Sequence, residues 1–264
     1  MHALVAIGLL FAAPNCSAAW LTPAAENAFQ KYVSGVESRL NAQHSTTSTY
    51  LAVSSGVGSA GSKFQVESMN GGTWSVEQAL LHHWRATAFV PGATPQQMLA
   101  LLRDYNRLPE NYAPQVVSAR VISQSSGAAR IAMRIQEHRV ITIVLDGEYS
   151  LESKLEESRR GYSNSRSNRI RQIENAGSAN ERPLDLGHED GFLWRLNSYW
   201  SFQATNEGTV DGVRIQCEAI SLTRDVPRGL GWLIIPIIRD FPKEALEFTM
   251  QATIKALQTP SAQR

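Results

Sequence analysis

Two long segments of alternating polarity near the C-terminal end constrain this chain more than any other feature. Residues 191–202 and 209–224 place apolar and polar side chains at alternate positions, which is typical of half-buried strands. Turn-forming residues at 206–208 join them, so the two segments predict a wide β-hairpin. After Pro242 the apolar positions recur at helical spacing, which predicts an amphipathic helix as far as Leu257. This order favours a curved antiparallel sheet that grips a C-terminal helix, an architecture that usually encloses an apolar cavity.

The earlier segments complete an α+β pattern. Thr22 is a good N-cap residue and Pro23 suits the first helical position, so an extra N-terminal helix is predicted at residues 21–43. A second helix is predicted from Pro95, and the Ser-, Thr- and Gly-rich residues 44–62 predict a flexible connection. Further strands are predicted at residues 63–69, 79–90, 115–123, 129–138, 140–152 and 161–174. We therefore expect an α+β fold with its helices on one face of the sheet.

Alternation along the hairpin assigns its side chains to two faces of the sheet. The face predicted to line the core or a cavity carries Phe192, Trp194, Leu196, Ser198, Trp200 and Phe202, opposed by Val213, Ile215, Cys217 and Ala219. The face predicted to meet solvent carries Arg195, Asn197, Tyr199, Gln203, Arg214, Gln216 and Glu218. Cys217 lies on the apolar face, where an inert buried thiol is expected and a nucleophile is not.

The first residues predict an export signal. Residues 3–13 form an unbroken apolar run that is too short to span a bilayer, and small residues at positions 17 and 19 predict cleavage before Trp20. The segment has no Lys or Arg before this run, so a cytoplasmic protein with an apolar N-terminal segment is the alternative. We expect an exported protein of the periplasm or cell envelope. Its predicted parts are a signal peptide (1–19), an N-terminal helix and linker (20–62), a ligand-binding domain (63–258) and a tail (259–264).

Composition limits the partners. Lys and Arg number 25 against 24 Asp and Glu, so the chain lacks the basic excess that nucleic-acid binding requires. The 43% of hydrophobic residues is enough for a substantial core. We expect no nucleic-acid partner, and the sequence identifies no protein partner.

The sequence contains no convincing catalytic or metal-binding set. His82 and His83 are adjacent on a predicted strand, so they point to opposite faces and cannot hold one metal together. Each is expected to be a hydrogen-bonded structural histidine, with one facing inward and the other facing solvent. The run from His188 to Asp190 has ligand-type side chains but no third partner at a recognised spacing. No catalytic residue, metal or cofactor is predicted.

Two further segments allow alternative interpretations. Residues 162–174 carry Arg166, Arg169 and Arg171, which indicates either a solvated edge strand guarded by charge or a basic mouth for an anionic headgroup. Residues 229–238 form an apolar, glycine-punctuated connection. This connection is interpreted as a lid over the cavity, as a buried connector, or as a tip that touches a membrane transiently.

The sequence resembles a known family. The runs HHWRATAFVPGAT (82–94), NYAPQVVSARVI (111–122), GFLWRLNSYWSF (191–202) and CEAISLTRDVPRGLGWLI (217–234) are similar to the START-like, or SRPBCC, superfamily, and more narrowly to its exported bacterial members. The resemblance covers roughly residues 63–257. It implies a helix-grip fold with a deep apolar cavity between the sheet and the last helix. Members of the superfamily bind lipids, sterols, polyketides and other hydrophobic ligands, and some are aromatase/cyclases.

The predicted function is noncatalytic binding, or carriage, of a hydrophobic small molecule or lipid. A cyclase or hydrolase that uses the same cavity is the first alternative, and a structural or interaction protein with a filled cavity is the second. Ser198 and the inward-facing histidine are expected to orient the ligand. The predicted ligand-binding residues are His82, His83, Trp194, Leu196, Ser198, Trp200, Phe202, Ile215, Cys217 and Met250.

Overall fold

The computed structural model describes residues 20–52, 64–138, 142–185, 193–225 and 231–259, with the backbone alone at 231–239. The helices are α1 (Pro23–His44), α2 (Pro95–Arg103), α3 (Leu108–Asn111) and α4 (Gly231–Gln258), with a 3₁₀ turn at Tyr105–Arg107. The strands are β1 (Phe64–Val76), β2 (Ala79–Pro91), β3 (Val116–Gln124), β4 (Ala128–His138), β5 (Thr142–Glu156), β6 (Arg160–Glu174), β7 (Arg182–Pro183), β8 (Arg195–Glu207) and β9 (Val210–Arg224). The proposed signal peptide and the run from His188 to Asp190 lie outside the described residues.

The described strands form one antiparallel sheet. Its order is β1-β2-β9-β8-β6-β5-β4-β3, and the short β7 pairs with β6. The predicted hairpin is β8–β9, and it lies at the centre of the sheet, where β9 also pairs with β2. A long C-terminal helix packs on this sheet, so the predicted α+β architecture is confirmed.

One face of the sheet, here called the inner face, packs against α4 and α2. Directly paired residues share a face, and the pairs Trp200–Cys217 and Phe202–Ile215 both lie on it. They form one buried cluster with Met250 of α4. The predicted alternation along β8 and β9 is therefore correct within these two strands.

The opposite face, here called the outer face, is covered by α1. The buried stripe of α1 includes Phe29, Val33 and Leu40, and it packs on Leu81 and Ile220 of the central strands. The expectation that all helices lie on one face was wrong. Spacing along α1 shows that the helix has an apolar stripe, but it does not show which surface the stripe covers.

The outer-face residues of the hairpin are consequently not all in solvent. Asn197, Tyr199, Gln216 and Glu218 are buried beneath or beside α1, with at most 3% of their surface exposed. Arg195, Gln203 and Arg214 are partly exposed. The prediction of a solvated face was therefore wrong for the centre of the sheet, because a helix from a distant part of the sequence replaces water there.

Two boundaries differ from the sequence prediction. Strand β1 does not end at Asn70 but continues to Val76 through a bulge, where Asn70, Gly71 and Gly72 have positive φ. A Cβ on Gly72 would lie 2.5 Å from the ring of Trp84, so glycine permits the close packing of this indole. The predicted apolar connection at 229–238 was also wrong from residue 231 onward, because α4 begins there and continues to Gln258. No described helix combines the length and hydropathy needed to span a membrane.

The polar strand β6 is not an edge strand. It lies between β5 and β8, and β1 and β3 are the ends of the strand order. The edge prediction was wrong because a strand inside a sheet can also be rich in charged and polar residues when the neighbouring elements offer polar partners. Arg166 contacts Glu37 of α1, and Arg169 contacts Glu148 of β5.

Candidate functional site

Three small side chains and one tryptophan form a row across the inner face at the centre of the sheet. The strand register places Ser165 of β6 opposite Ser198 of β8, Ser198 opposite Ala219 of β9, and Ala219 opposite Trp84 of β2. All four residues are partly exposed, as is the neighbouring Leu196. Residues at the centre of a helix-covered sheet are normally buried, so this exposure indicates open space beside them. We call this region, defined by Trp84, Ser165, Leu196, Ser198 and Ala219, the recess.

Large apolar side chains bound the recess on one side. Trp200 and Phe202 lie one and two pleats along β8 from Ser198, and they pack with Ile215, Cys217 and Met250 in the buried cluster. Phe202, Ile215 and Met250 have no exposed surface. The recess therefore adjoins this cluster, with Trp84 and Ala219 packed against the cluster and the small side chains of Ser165 and Ser198 beyond them.

Several predicted ligand-binding residues share the inner face, and their role in ligand binding stays a prediction. Leu196 and Ser198 line the recess, and Trp200, Phe202, Ile215, Cys217 and Met250 form the apolar cluster beside it. Burial raises the pKa of the Cys217 thiol, and the Glu218 charge adds to this effect. A thiol held in its neutral form is a poor nucleophile, which agrees with the structural role predicted for Cys217.

Trp194 is not with the other predicted site residues. It immediately precedes β8 and packs with Phe29 and Leu222 in the cluster beneath α1. Its assignment to the inner face was wrong because the alternation holds only within the strand, which begins at Arg195.

His82 and His83 point to opposite faces, as their adjacency predicted. His82 lies on the inner face, fully buried, with its ring nitrogens 2.9 Å from the Thr73 hydroxyl and 3.0 Å from the Thr223 hydroxyl. It pairs across the strands with Ser221, close to the recess. These contacts fix the ring in a structural role.

His83 lies on the outer face, but α1 covers it, so the expectation that one histidine faces solvent was wrong. Its Nδ1 atom is 2.8 Å from the Tyr32 hydroxyl and its Nε2 atom is 2.9 Å from the Glu218 carboxylate. Burial opposes ionisation of Glu218, but hydrogen bonds and charges from His83 and Arg39 outweigh it, and the net pKa of Glu218 is lowered. This network holds α1 to the sheet and lies on the face opposite the recess.

A polar pocket of about 150 Å³ lies between α1 and the outer face. Glu37 accepts hydrogen bonds from Tyr199 at 2.7 Å and from Arg166 at 2.6 Å. Because Arg166 and Arg169 are each paired with a glutamate, the alternative of a basic mouth for an anionic headgroup gains no support from them. The residues lining this pocket are Glu37, Leu40, Asn41, His44, Glu152, Tyr162, Asn164, Arg166 and Tyr199.

Sequence reasoning missed part of the recess. The interpretation of residues 162–174 relied on the arginines alone. It overlooked the serines at positions 163, 165 and 167, which recur with the period of a strand. These serines face inward in the structure, opposite β8 or β5. Their alternation was the available signal, since small polar residues at every second position are unusual on the buried face of a sheet.

No known family profile and no curated protein matches this chain. Similar solved structures include a STAR-related lipid transfer protein from Xanthomonas axonopodis, 14% identical, which covers 75% of this chain and 100% of its own with a TM-score of 0.43. The Zhui aromatase/cyclase from Streptomyces is 13% identical, with 67% and 91% covered and a TM-score of 0.41. The lipid transfer domain of human StarD13 is 12% identical, with 71% and 89% covered and a TM-score of 0.44. At these identities and TM-scores, neither a ligand nor an activity is carried over from these proteins to this chain.

Proposed function

We propose that this protein binds, and carries, a hydrophobic small molecule or lipid between the inner face of the sheet and α4. The observation that carries the proposal is that three small residues on adjacent central strands are partly exposed. They are Ser165, Ser198 and Ala219. Nothing in the local backbone requires small residues there, since each strand continues without a register shift at these pairs. Space at the centre of an otherwise packed sheet is what a ligand of this kind needs.

Burial of apolar ligand surface against the apolar lining of the recess supplies the driving force for binding. Each Å² of apolar ligand surface removed from water contributes about 25 cal/mol before the entropic costs of association are subtracted. Trp84 and Leu196 are the large apolar side chains of the recess that remain partly exposed, and Trp84 packs against the cluster that contains Trp200 and Phe202. The ligand would extend from Ser198 toward Trp84.

A noncatalytic role fits the chemistry better than an enzymatic one. The buried acid–base pair His83 and Glu218 lies on the outer face under α1, away from the recess. His82 is on the correct face, but both ring nitrogens are engaged by threonine hydroxyls. A general acid or base must instead reach a proton on the substrate.

We also propose that the protein works in the cell envelope after export. The apolar run at 3–13 and the small residues before Trp20 support this proposal. The mass of the mature protein, measured by mass spectrometry on an envelope fraction, is expected to correspond to a chain that begins at Trp20. A mass that includes Met1 in a cytoplasmic fraction would contradict export.

Space-filling substitution tests ligand binding directly. A hydrophobic fluorescent dye is expected to bind the wild-type protein saturably, and Ala219→Trp is expected to weaken binding at least about tenfold because the indole fills the recess. Val210→Trp is the matched control, because Val210 lies on the same strand with 46% of its surface exposed. The control should bind the dye like the wild type.

Circular dichroism and thermal melting show whether each variant keeps its fold. If Ala219→Trp fails to fold, Ser198→Leu makes the same test with a smaller side chain. If a folded variant with a filled recess binds the dye as tightly as the wild type does, the dye binds outside the recess. The proposal would then be wrong. Absence of saturable binding to the wild type would favour a filled, structural interior.

A further inference from the structure

Four serines converge on the inner face around the recess. Ser163 and Ser165 lie two residues apart on β6, and Ser198 of β8 is directly opposite Ser165. Ser221 of β9 is opposite Leu196 and therefore diagonal to Ser198. Directly opposite residues have Cβ atoms about 5 Å apart and diagonal ones about 7 Å apart, so the four hydroxyls cover an area about the size of a small ring system. We call Ser163, Ser165, Ser198 and Ser221 the serine patch.

None of these four hydroxyls has a hydrogen-bond partner within the described part of the chain. Neighbouring serines differ from them. The Ser167 hydroxyl accepts a bond from the Leu196 amide at 2.9 Å, and the Ser153 hydroxyl accepts one from Arg103 at 2.8 Å. Ser163 and Ser221 are more than nine-tenths buried, yet neither hydroxyl oxygen is among the buried atoms that lack a partner, so both oxygens remain accessible to water from the recess.

The patch itself is polar but uncharged, and apolar side chains lie on one side of it, while Ser153, which accepts from Arg103, and His82 lie opposite Ser163 and Ser221 on the other strands. Trp200 faces Ser163 across the strands, and Ala219 faces Ser198. A purely hydrocarbon ligand in the recess would strip water from these hydroxyls and return no hydrogen bond, which is costly. A charged ligand group would find no opposite charge among the four patch residues and would lose its own hydration.

We propose that the recess selects neutral ligands that carry hydroxyl or carbonyl oxygens along one edge, and that the serine patch determines this selectivity. The inference rests on the proposed ligand-binding function and adds the chemical class and orientation of the ligand. The oxygen-bearing edge lies against β6 and β8, where the hydroxyls of Ser165 and Ser198 donate to it or accept from it. The apolar edge lies toward the cluster of Trp200, Phe202 and Met250.

Two probes of the same shape test this selectivity. One is a dihydroxynaphthalene, and the other is the dimethylnaphthalene of the same substitution pattern, which replaces each hydroxyl by a group of similar size. Both are titrated into the wild type and into the double variant Ser165→Ala, Ser198→Ala, with intrinsic ligand fluorescence as the readout. The ratio of the two dissociation constants is compared between the proteins. The two probes differ in hydration, but this difference is the same for every protein and therefore cancels.

We expect the double substitution to weaken binding of the dihydroxy probe by roughly tenfold, and to leave binding of the dimethyl probe unchanged or tighter. The matched control is Ser75→Ala with Ser118→Ala, because both serines are exposed on the outlying strands β1 and β3. The control should keep the wild-type ratio. The single change Ser198→Ala should shift the ratio in the same direction if the double variant proves unstable.

The outcomes separate the two proposals. If both probes bind and the ratio does not change between wild type and variant, the serine patch does not select the ligand, while ligand binding itself stands. If neither probe nor the hydrophobic dye binds the wild type, the proposed function fails and the selectivity fails with it. A shift of the ratio in the double variant alone supports the inference.

Discussion

At the scale of single residues, Glu218 shows how this fold accommodates a buried charge. Its side chain lies on a central strand and has no exposed surface. His83 at 2.9 Å, Gln216 at 3.1 Å and Arg39 from α1 together satisfy the carboxylate. A buried charge without such partners would be strongly destabilising. The carboxylate thus depends on α1, which links this one residue to the docking of a whole element.

His44, at the end of α1, makes stability depend on pH. Burial lowers its pKa below the ordinary value of 6.5, with smaller opposing contributions from Glu156 and Glu218. The ring stacks between Tyr50 and Tyr162, with centroids 4.6 Å and 5.4 Å away. As the pH falls below about 6.5, the unfolded chain gains a proton at His44 that the folded chain does not take up. Stability from this group is therefore complete above that pH and decreases as the pH is lowered.

We predict that His44→Asn reduces the dependence of the urea midpoint on pH between about pH 7 and pH 5. The starting stability of the variant will be lower, because the stacking contacts are lost, so the slope with pH is the informative quantity. His138→Asn is the control, since His138 is exposed on β4. A slope for His44→Asn equal to that of the wild type would contradict the account of this residue.

At the scale of elements, α1 is an integral layer of the domain and not an appendage. Phe29 and Val33 pack on the central strands, while Glu26, Glu37 and Arg39 pair with charged residues of the outer face. Removing α1 would expose Glu218 and Tyr199 to water and would take away their partners Arg39 and Glu37. We therefore expect the sheet to depend on α1 for much of its stability.

Phe29→Ala measures this dependence. Phe29 has no exposed surface, so the substitution should lower the free energy of unfolding by about 3–5 kcal/mol. Lys31→Ala is the matched control, because Lys31 is exposed two residues further along the same helix, and it should change stability by about 0.5 kcal/mol or less. Chemical unfolding followed by tryptophan fluorescence gives both values. Similar small losses in both variants would show that α1 is loosely attached.

Much of the fold was predictable at this scale, and the reason is local. The period-two alternation of β8 and β9, the capping box formed by Thr94 and Gln97, and the helical spacing of α1 are encoded within short segments. Which surface α1 covers depends on contacts between residues more than 100 positions apart, such as Arg39 with Glu218. Alternation could show that Glu218 points away from Cys217, but it could not show that a helix covers that face of the sheet.

The same limit applied to the site. Leu196, Ser198 and Trp200 were predicted from parity along one strand, and their positions in β8 agree with it. Ser165 and Ala219 join Ser198 only through the register of three strands, which the sequence does not specify. The row of small residues is therefore a property of the assembled sheet, and no single segment contains it.

At the scale of the whole molecule, the sheet separates two different environments. The outer face holds a paired, charged network beneath α1, and the inner face holds an apolar cluster that ends at a small, hydroxyl-lined recess. The first environment stabilises the fold through fixed contacts. The second leaves hydroxyls without protein partners, which is the arrangement expected of a surface that receives a ligand.

Native mass spectrometry of the protein isolated from the cells that naturally make it tests the central claim most directly. Wild-type protein is expected to carry a neutral adduct of discrete mass, at no more than one copy per chain, that is released when the chain is unfolded. The Ala219→Trp variant made in the same cells should be free of this adduct, while Val210→Trp should retain it. An adduct retained equally by the Ala219→Trp variant, or a wild-type protein that never carries one and binds no hydrophobic dye, would contradict the account.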